Sequence, residues 1–386
     1  MSPSRKENQP PRVLLLSERN IYDPLVWRCS FAEFETILEQ IEAVDVVAPR
    51  RKPWFVNGKR LALRLGENFK TPLNPAMAPG IEPVTLSKDY DVFFTVVEGA
   101  SELLHINAVK GWKDHCKTSI CFLVEFYIKD IPTYKSCMEV LAQFDHVLYM
   151  FVGREPFEKR FKSQGRYVPA GIDTLRYCPY PNPPQRSIDV LSIGRRAEKT
   201  HQTLLRMARE EGIFYVHDTI DSLRAYSVEQ HRRMMTDMAK RTRYFLVNPG
   251  KFNKPEETGG QSEFGYRYFE GAAPGAIMIG DVPRNNQEFT KIFHWEDAVI
   301  KLDLENEDIA PVIKELNSQP ERQRRIRRNN MVQCLLHHDW AYRWESILDM
   351  VGLAPLPALL QRKEALRKRA EMVEETLMEP SRATGQ

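Results

Sequence analysis

The chain has 386 residues, with 55 basic against 52 acidic side chains and 42% hydrophobic residues. That length suits two domains of about 150 residues each rather than one, and charges that nearly cancel exclude the global positive field of a nucleic-acid binder. Cys29, Cys116, Cys121, Cys137, Cys178 and Cys334 lack the short paired spacing of tetrahedral zinc sites or compact disulfide frameworks, which predicts free thiols in a reducing compartment. The polar opening MSPSRKENQPPR carries no apolar signal core, and no run approaches the roughly 18 apolar residues of a membrane span. The expectation is a cytoplasmic protein.

From Arg12 onward, short β-branched runs alternate with stretches of helical period, the pattern of a parallel sheet covered on both faces. VLLLS (Val13 to Ser17), VDVVAP (Val44 to Pro49), DVFFTVV (Asp91 to Val97), SICFLV (Ser119 to Val124) and HVLYMF (His146 to Phe151) read as buried strands. Apolar positions recurring at three and four predict helices over Phe31 to Ala43 and Thr133 to Phe144. Residues 50 to 90, with five prolines from Pro53 to Pro83, read as an irregular insertion.

YCPYPNPPQR, from Tyr177 to Arg186, is the expected linker, because proline favours extended chain. A second series of strands follows: IDVLSI from Ile188, IFYV from Ile213, YFLVN from Tyr244, AIMIG from Ala276 and AVIKL from Ala298. From Pro320 the chain reads as wholly helical. The expected domains are 12–176, 187–318 and a helical segment 319–376.

In open parallel α/β sheets, ligands bind outside the carboxyl ends of the strands. In the second domain this selects Gly194 to Lys199, His217 to Thr219 and Asn248 to Gly265, a span that includes Gln261. The stretch GGQSEFGYRYFEGAAPGAIMIGD, Gly259 to Asp281, reads as a glycine-opened loop of free amides leading into a helix over about Phe264 to Ala273. Such a helix start suits a diphosphate. Glu270, about two turns in, is expected to accept both ribose hydroxyls, and this requires its carboxylate to face the ligand rather than a buried ion pair.

GYRYFEGAAPGAIMIGD resembles the donor-site helix of glycosyltransferases of GT-B architecture, in particular group-1 and spore-maturation CgeB-like members. DVLSIGRRAEK (Asp189 to Lys199) is similar to that family's opening strand and basic phosphate loop, and YVPAGIDTLRYCP (Tyr167 to Pro179) to the segment that closes its first domain. The resemblance implies two Rossmann-like α/β domains facing a cleft, with C-terminal helices crossing back. It further implies that Glu270 holds the donor ribose, that Arg195 and Lys199 neutralise the diphosphate, and that amides around Ser262 to Tyr266, Gly265 included, complete the cradle. Retaining members carry two glutamates seven residues apart. Here Glu263 precedes Glu270 by one residue fewer and Ser262 takes the matching place, which leaves the role of Glu263 and the stereochemistry open.

In the first domain the strand-end rule selects Glu18, Arg19, Glu98, Glu125 and Arg154. Glu98 and Glu125 are the candidate proton acceptors for an acceptor hydroxyl, with helix-cap or salt-bridge service as the alternative. His337, His338 and Asp339 fall in an apparently continuous helix, whose adjacent residues diverge and so share no metal. The arginines from Arg322 to Arg328 read as a solvated helix end.

The function expected is metal-independent transfer of a sugar from a nucleoside-diphosphate sugar to a hydroxyl acceptor (polysaccharide, lipid-linked glycan or metabolite). No cofactor and no nucleic-acid partner are expected, and peripheral membrane contact falls to the basic C-terminal helices. The rival readings are a sugar-nucleotide epimerase of the same architecture and a non-catalytic binding protein of that fold. A nicotinamide dehydrogenase ranks lower, since no G-x-G-x-x-G follows either opening strand.

Overall fold

The computed structural model describes residues 10–68, 77–152, 159, 165–219 and 224–378. The chain divides into two compact units, one of residues 1–169 with 348–358 and one of residues 170–347 with 359–386.

The first unit is a six-stranded sheet whose strands all run parallel, in the order β2-β1-β4-β6-β7-β8. Its strands are β1 (Val13–Leu16), β2 (Val44–Val47), β4 (Tyr90–Val97), β6 (Cys116–Leu123), β7 (His146–Tyr149) and β8 (Gly165–Tyr167); β3 (Val84–Thr85) and β5 (Val109–Lys110) pair separately. Every residue of β1 is buried, as a central strand covered on both faces demands. Its register, Val13 beside both Val44 and Val92, brings the ends of β1 and β4 together. Helix α1 (Arg28–Ile41) buries Phe34, Ile37, Leu38 and Ile41, spaced at three and four. Within the presumed insertion the structure instead places helix α2 (Phe55–Asn68), which buries Phe55 and Ala62 seven residues apart. Its prolines flank the helix and leave its interior free of breakers.

The second unit holds a five-stranded parallel sheet, β10-β9-β11-β12-β13. The strands are β9 (Ile188–Ser192), β10 (Tyr215–His217), β11 (Thr242–Val247), β12 (Ile277–Gly280) and β13 (Ile300–Lys301). Helices α3 (Glu198–Glu210), α4 (Val228–Lys240), α5 (Tyr266–Ala272) and α6 (Ile309–Asn317) accompany it. Gly280 closes β12 at φ 150°, where an added Cβ would stand 2.0 Å from the Val247 carbonyl oxygen. Only glycine fits there.

The region after Pro320 is not one helix but three, α7 (Pro320–His337), α8 (Trp340–Met350) and α9 (Pro357–Met378). The break at His338–Asp339 has an electrostatic cause. Asp339 is fully buried, and its carboxylate accepts from the Ala341 amide at 2.9 Å, starting α8. It also accepts from the Thr174 amide and hydroxyl at 3.0 and 2.9 Å and from both Nε and Nη2 of Arg362 at 2.8 Å. Capping of this kind competes with helix continuation. Likewise the chain passes into the second unit at residue 170, ahead of the proline-rich run, because Ala170 and Ile172 join backbone and side-chain bonds to Arg343 and His338.

Asp339→Ala removes all these acceptors and leaves the buried Arg362 with Asp173 as its remaining carboxylate partner. The expected loss is ~3–5 kcal/mol of unfolding free energy, read from urea titration of the full chain; an unmoved midpoint would show that the cluster contributes nothing.

Candidate functional site at the carboxyl ends of the strands

In the second unit, the turn after β9 is set by Gly194, at φ 94°, whose amide donates to Asp218 Oδ2 at 2.5 Å. Asp218 follows β10, so neighbouring strand ends are tied together at the sheet's carboxyl edge. Arg196 lies against His217, its Nη1 3.1 Å from the ring Nδ1. Arg195 is exposed. Lys199, by contrast, is turned onto the protein: its Nζ donates to the Asn306 carbonyl oxygen. Of the two basic residues expected to neutralise a diphosphate, Lys199 is engaged with a backbone carbonyl and Arg195 is exposed.

The loop after β11 folds back on itself. Gly250 donates its amide to the Glu263 carbonyl at 2.7 Å, and Gln261 Nε2 donates to Glu263 Oε1 at 2.8 Å. Ser262 accepts at Oγ from the Arg284 amide and at its carbonyl from Asn286 Nδ2, both at 3.3 Å, so it braces the loop after β12. Asn248 sits at the end of β11 with its Oδ1 buried and unpartnered among the described residues. The amides of Ser262, Phe264 and Gly265 likewise donate to no protein acceptor among the described residues. Around Gly265 there is open space, for an added Cβ would meet nothing within 4 Å. Tyr266 turns its ring toward Trp340, 6.2 Å between centroids, which makes it a packing residue.

The helix that follows is shorter than expected, seven residues from Tyr266 to Ala272. Glu270 lies on it but is 2% exposed, and its two oxygens are occupied: Arg232 Nη1 donates to Oε1 and Arg267 Nη1 to Oε2, each at 2.6 Å. Burial by itself raises a carboxyl pKa, yet Arg267 and Arg232 outweigh it and hold Glu270 at about 2. In this arrangement Glu270 is not an open acceptor for ribose hydroxyls, and that expectation is corrected. The physical reason is that a carboxylate amid Tyr268, Phe269 and Ala272 is too costly to bury without cationic partners.

What the pair does is present Arg267. Its guanidinium is 28% exposed in side-chain terms and approaches Gly194, since a Cβ there would stand 3.9 Å from Arg267 Nη2. An anchored cation therefore meets the glycine turn at the sheet's carboxyl edge. Arg267 was missed from the sequence, although its three-residue spacing from Glu270 is an ion-pair signal on a helix. Arg232, on α4, carried no local signal. His231 beside it has a buried, unpartnered Nδ1, and burial first, then Arg232, lower its pKa to about 4 despite the nearby Glu270.

In the first unit, the strand ends gather a second ionisable cluster. Arg28 Nη1 donates to Glu18 Oε2 at 2.5 Å, and its Nη2 contacts Glu98 Oε2 at 2.7 Å and Glu102 Oε1. Three carboxylates thus share one guanidinium, which also lies over the Tyr22 ring at 4.2 Å. Burial, then the repulsion of Glu102, push the Glu98 carboxyl up to about 7 against the pull of Arg28. Its side chain is 21% exposed, the most open of the three. His105, fully enclosed with Nδ1 3.3 Å from Glu18 Oε1, is held neutral by burial, Lys59 and Arg28, which lower its pKa to about 3. Glu125 is exposed, and its amide donates to the Glu98 carbonyl at 2.7 Å. Of the other strand-end residues, Arg19 is engaged with Glu35 and Glu39, and Arg154 lies outside the described residues.

His337 and His338 have ring centroids 6.4 Å apart, and the Asp339 carboxylate beside them is taken by Arg362. Among the described residues no three His, Cys, Asp or Glu side chains gather closely enough to hold a metal, and no helix is long and apolar enough to cross a membrane.

A comparison with curated proteins finds no match. A family model described as glycosyl transferase-like matches residues 202–349, which include the loop after β11, Arg232, Arg267 and Glu270. Among solved structures, an alpha-glucosyltransferase in complex with UDP and a 13-mer DNA containing a HMU base aligns over 88% of this chain and 99% of its own, at 13% identity and a TM-score of 0.50. A glycosyltransferase from Rickettsia africae ESF-5 aligns over 89% and 98%, at 10% identity and a TM-score of 0.47. UGT89C1 of Arabidopsis thaliana, complexed with UDP, aligns over 94% and 100%, at 11% identity and a TM-score of 0.41. The chain is a mixed α/β protein with parallel sheets whose structural neighbours are GT-B glycosyltransferases, and the matched part of its second unit is similar to the glycosyl transferase-like family.

Proposed function

We propose that the chain is a glycosyltransferase that moves a sugar from a nucleoside-diphosphate sugar to an acceptor hydroxyl, without a metal. The observation that carries this reading is the Arg267 guanidinium, gripped by Glu270 and set against the Gly194 turn, inside the segment matched by the glycosyl transferase-like model. Fixed cations and unclaimed amides at a parallel sheet's carboxyl edge suit a diphosphate, whose charge grows as the glycosidic bond breaks. Arg267, Arg195 and the amides of Ser262, Phe264 and Gly265 bind it in this reading. Asn248 Oδ1, buried without a donor, is free to accept from the donor sugar or ribose. Glu270 acts one step back: it holds Arg267 in place and keeps Arg232 neutralised.

The acceptor is assigned to the carboxyl edge of the first unit. As the acceptor oxygen bonds to the anomeric carbon and the bond to the diphosphate breaks, the hydroxyl proton passes to the Glu98 carboxylate. A carboxyl titrating at about 7 is well matched to that task near neutral pH. Burial and the neighbouring Glu102 make Glu98 basic, and Arg28 keeps it oriented.

Arg267→Ala is expected to weaken UDP binding, measured by calorimetry, by roughly 10- to 100-fold, the loss of charge-assisted contacts to phosphate. Affinity equal to that of the parent chain would remove Arg267 from the donor site. Glu270→Gln is expected to weaken UDP binding too, through the released arginine. It also changes acid stability: because the folded pKa is about 2 and the unfolded value is about 4.3, the stabilisation is complete above the latter and lost as pH falls toward the former. Acid titration followed by circular dichroism should lose that limb in the variant.

For Glu98, transfer to a hydroxyl acceptor should rise with pH through about 7, as the carboxyl gives up its proton. Glu98→Gln should flatten that rise and cut turnover by roughly 10²- to 10⁴-fold. A wild-type profile flat between pH 6 and 8 tells against Glu98 as the proton acceptor.

A further inference from the structure

The proline-rich run after Tyr177 does not serve only as a connector. With α4, β11, α7 and the end of α9 it walls a cavity of about 320 Å³ within the second unit. Four basic side chains line the cavity, Arg186, Lys240, Arg243 and Arg327, and no acidic one does. Tyr180 and Met331 stand among the apolar walls.

The cavity lies at the opposite edge of the sheet from the donor loops. Arg186 precedes β9 by two residues, Lys240 ends α4, and Arg243 is the second residue of β11. Gly194 and Asn248 follow the other ends of those same strands. Five or six residues of strand separate the two edges, ~15–20 Å.

Two of the cations lack any acidic partner. Arg186 donates Nη1 to the Thr242 carbonyl at 2.6 Å and Nη2 to the Pro274 carbonyl at 2.7 Å, and Arg327 reaches the Gly275 carbonyl at 3.5 Å and Gln323 Oε1 at 3.1 Å. Neither they nor Lys240 form an ion pair among the described residues. Arg243 pairs with Asp189 at 2.8 Å, and Asp237 acts on Lys240 from within α4. Arg369, on α9, adds a further charge by donating to the Tyr180 carbonyl oxygen. Burial together with the charge of Arg327 lowers the Arg186 pKa to about 9, and burial lowers that of Arg327 to about 10. Guanidiniums are almost never perturbed this far, because cations withdrawn from water are ordinarily given carboxylates. Neutral carbonyls fix the orientation of these two but leave their charge uncompensated.

We propose that this cavity is a binding site for an organic phosphate, separate from the donor loops, with the phosphate held among Arg186, Lys240 and Arg327 and the organic part against Tyr180 and the flanking prolines. An anion supplies the missing countercharge, planar guanidiniums match phosphate oxygens, and the volume is that of a small-molecule site. The apolar wall favours a phosphate ester over a bare inorganic ion.

The test is calorimetric titration of the full-length chain with phenyl phosphate, with inorganic phosphate and with sulfate at constant ionic strength. Saturable binding of phenyl phosphate is expected, tighter than that of either inorganic ion. Lys240→Gln/Arg327→Gln should weaken it at least tenfold, whereas Lys240→Arg/Arg327→Lys, with charge kept, should retain most of it. Arg195→Ala/Arg267→Ala, which alters the donor loops, should bind phenyl phosphate as the parent does, so failure of the proposed transferase activity and failure of this site are distinguishable. Thermal melts by circular dichroism confirm that each variant is folded. Absence of binding in the parent chain, unchanged affinity in Lys240→Gln/Arg327→Gln, equal binding of sulfate, or loss of binding in the donor-loop variant overturns the proposal.

Discussion

The Glu270 carboxylate, enclosed between Arg232 and Arg267, is the interaction on which the carboxyl edge of the second unit depends. A carboxylate there would be untenable alone, and the two guanidiniums compensate its loss of water. With both in place the net charge of the trio is positive, and the excess lies on Arg267, the member that reaches the Gly194 turn. An acidic residue thereby anchors a partly exposed cation. The same trio joins α4 to α5, two helices packed on the same sheet, so side-chain electrostatics and the placement of the loop after β11 are one problem rather than two.

The first unit uses the opposite balance. At the ends of β1 and β4, three carboxylates surround Arg28, and like charges at such distances cannot all ionise freely. Burial first, and then repulsion from Glu102, lift Glu98 toward neutrality against the pull of Arg28. Its partial exposure separates it from Glu18 and Glu102, which are enclosed. Both units thus place one ion-pair cluster at the carboxyl ends of parallel strands, where no strand pairing constrains the chain.

Much of the fold was legible in the sequence because strand burial is written in composition. Eight of the ten expected strands overlap observed ones by three residues or more, while IFYV and AVIKL share two residues each with Tyr215–His217 and Ile300–Lys301. The short pair β3 and β5 left no pattern, since two residues give no periodicity. Helix α2 was hidden by neighbouring prolines, and the break at Asp339 by a run of good helix formers. The break at Asp339 came from partners distant in sequence, Thr174 and Arg362.

The sequence by itself determined that two parallel-sheet units exist, where their strands end, and hence that Gly194, Asn248, the loop through Gly265 and Glu98 lie beyond the carboxyl ends of the strands. That much follows from apolar periodicity, which acts through neighbours along the chain. Only the tertiary structure decided what the charged residues do there. Glu270 is gripped in an ion pair because Arg232, 38 residues earlier, folds against it, and Glu98 became a near-neutral acid because it is buried and Glu102 stands beside it, against the pull of Arg28. Ionisation depends on distance through space and on exclusion of water, and neither quantity is encoded in the local order of residues.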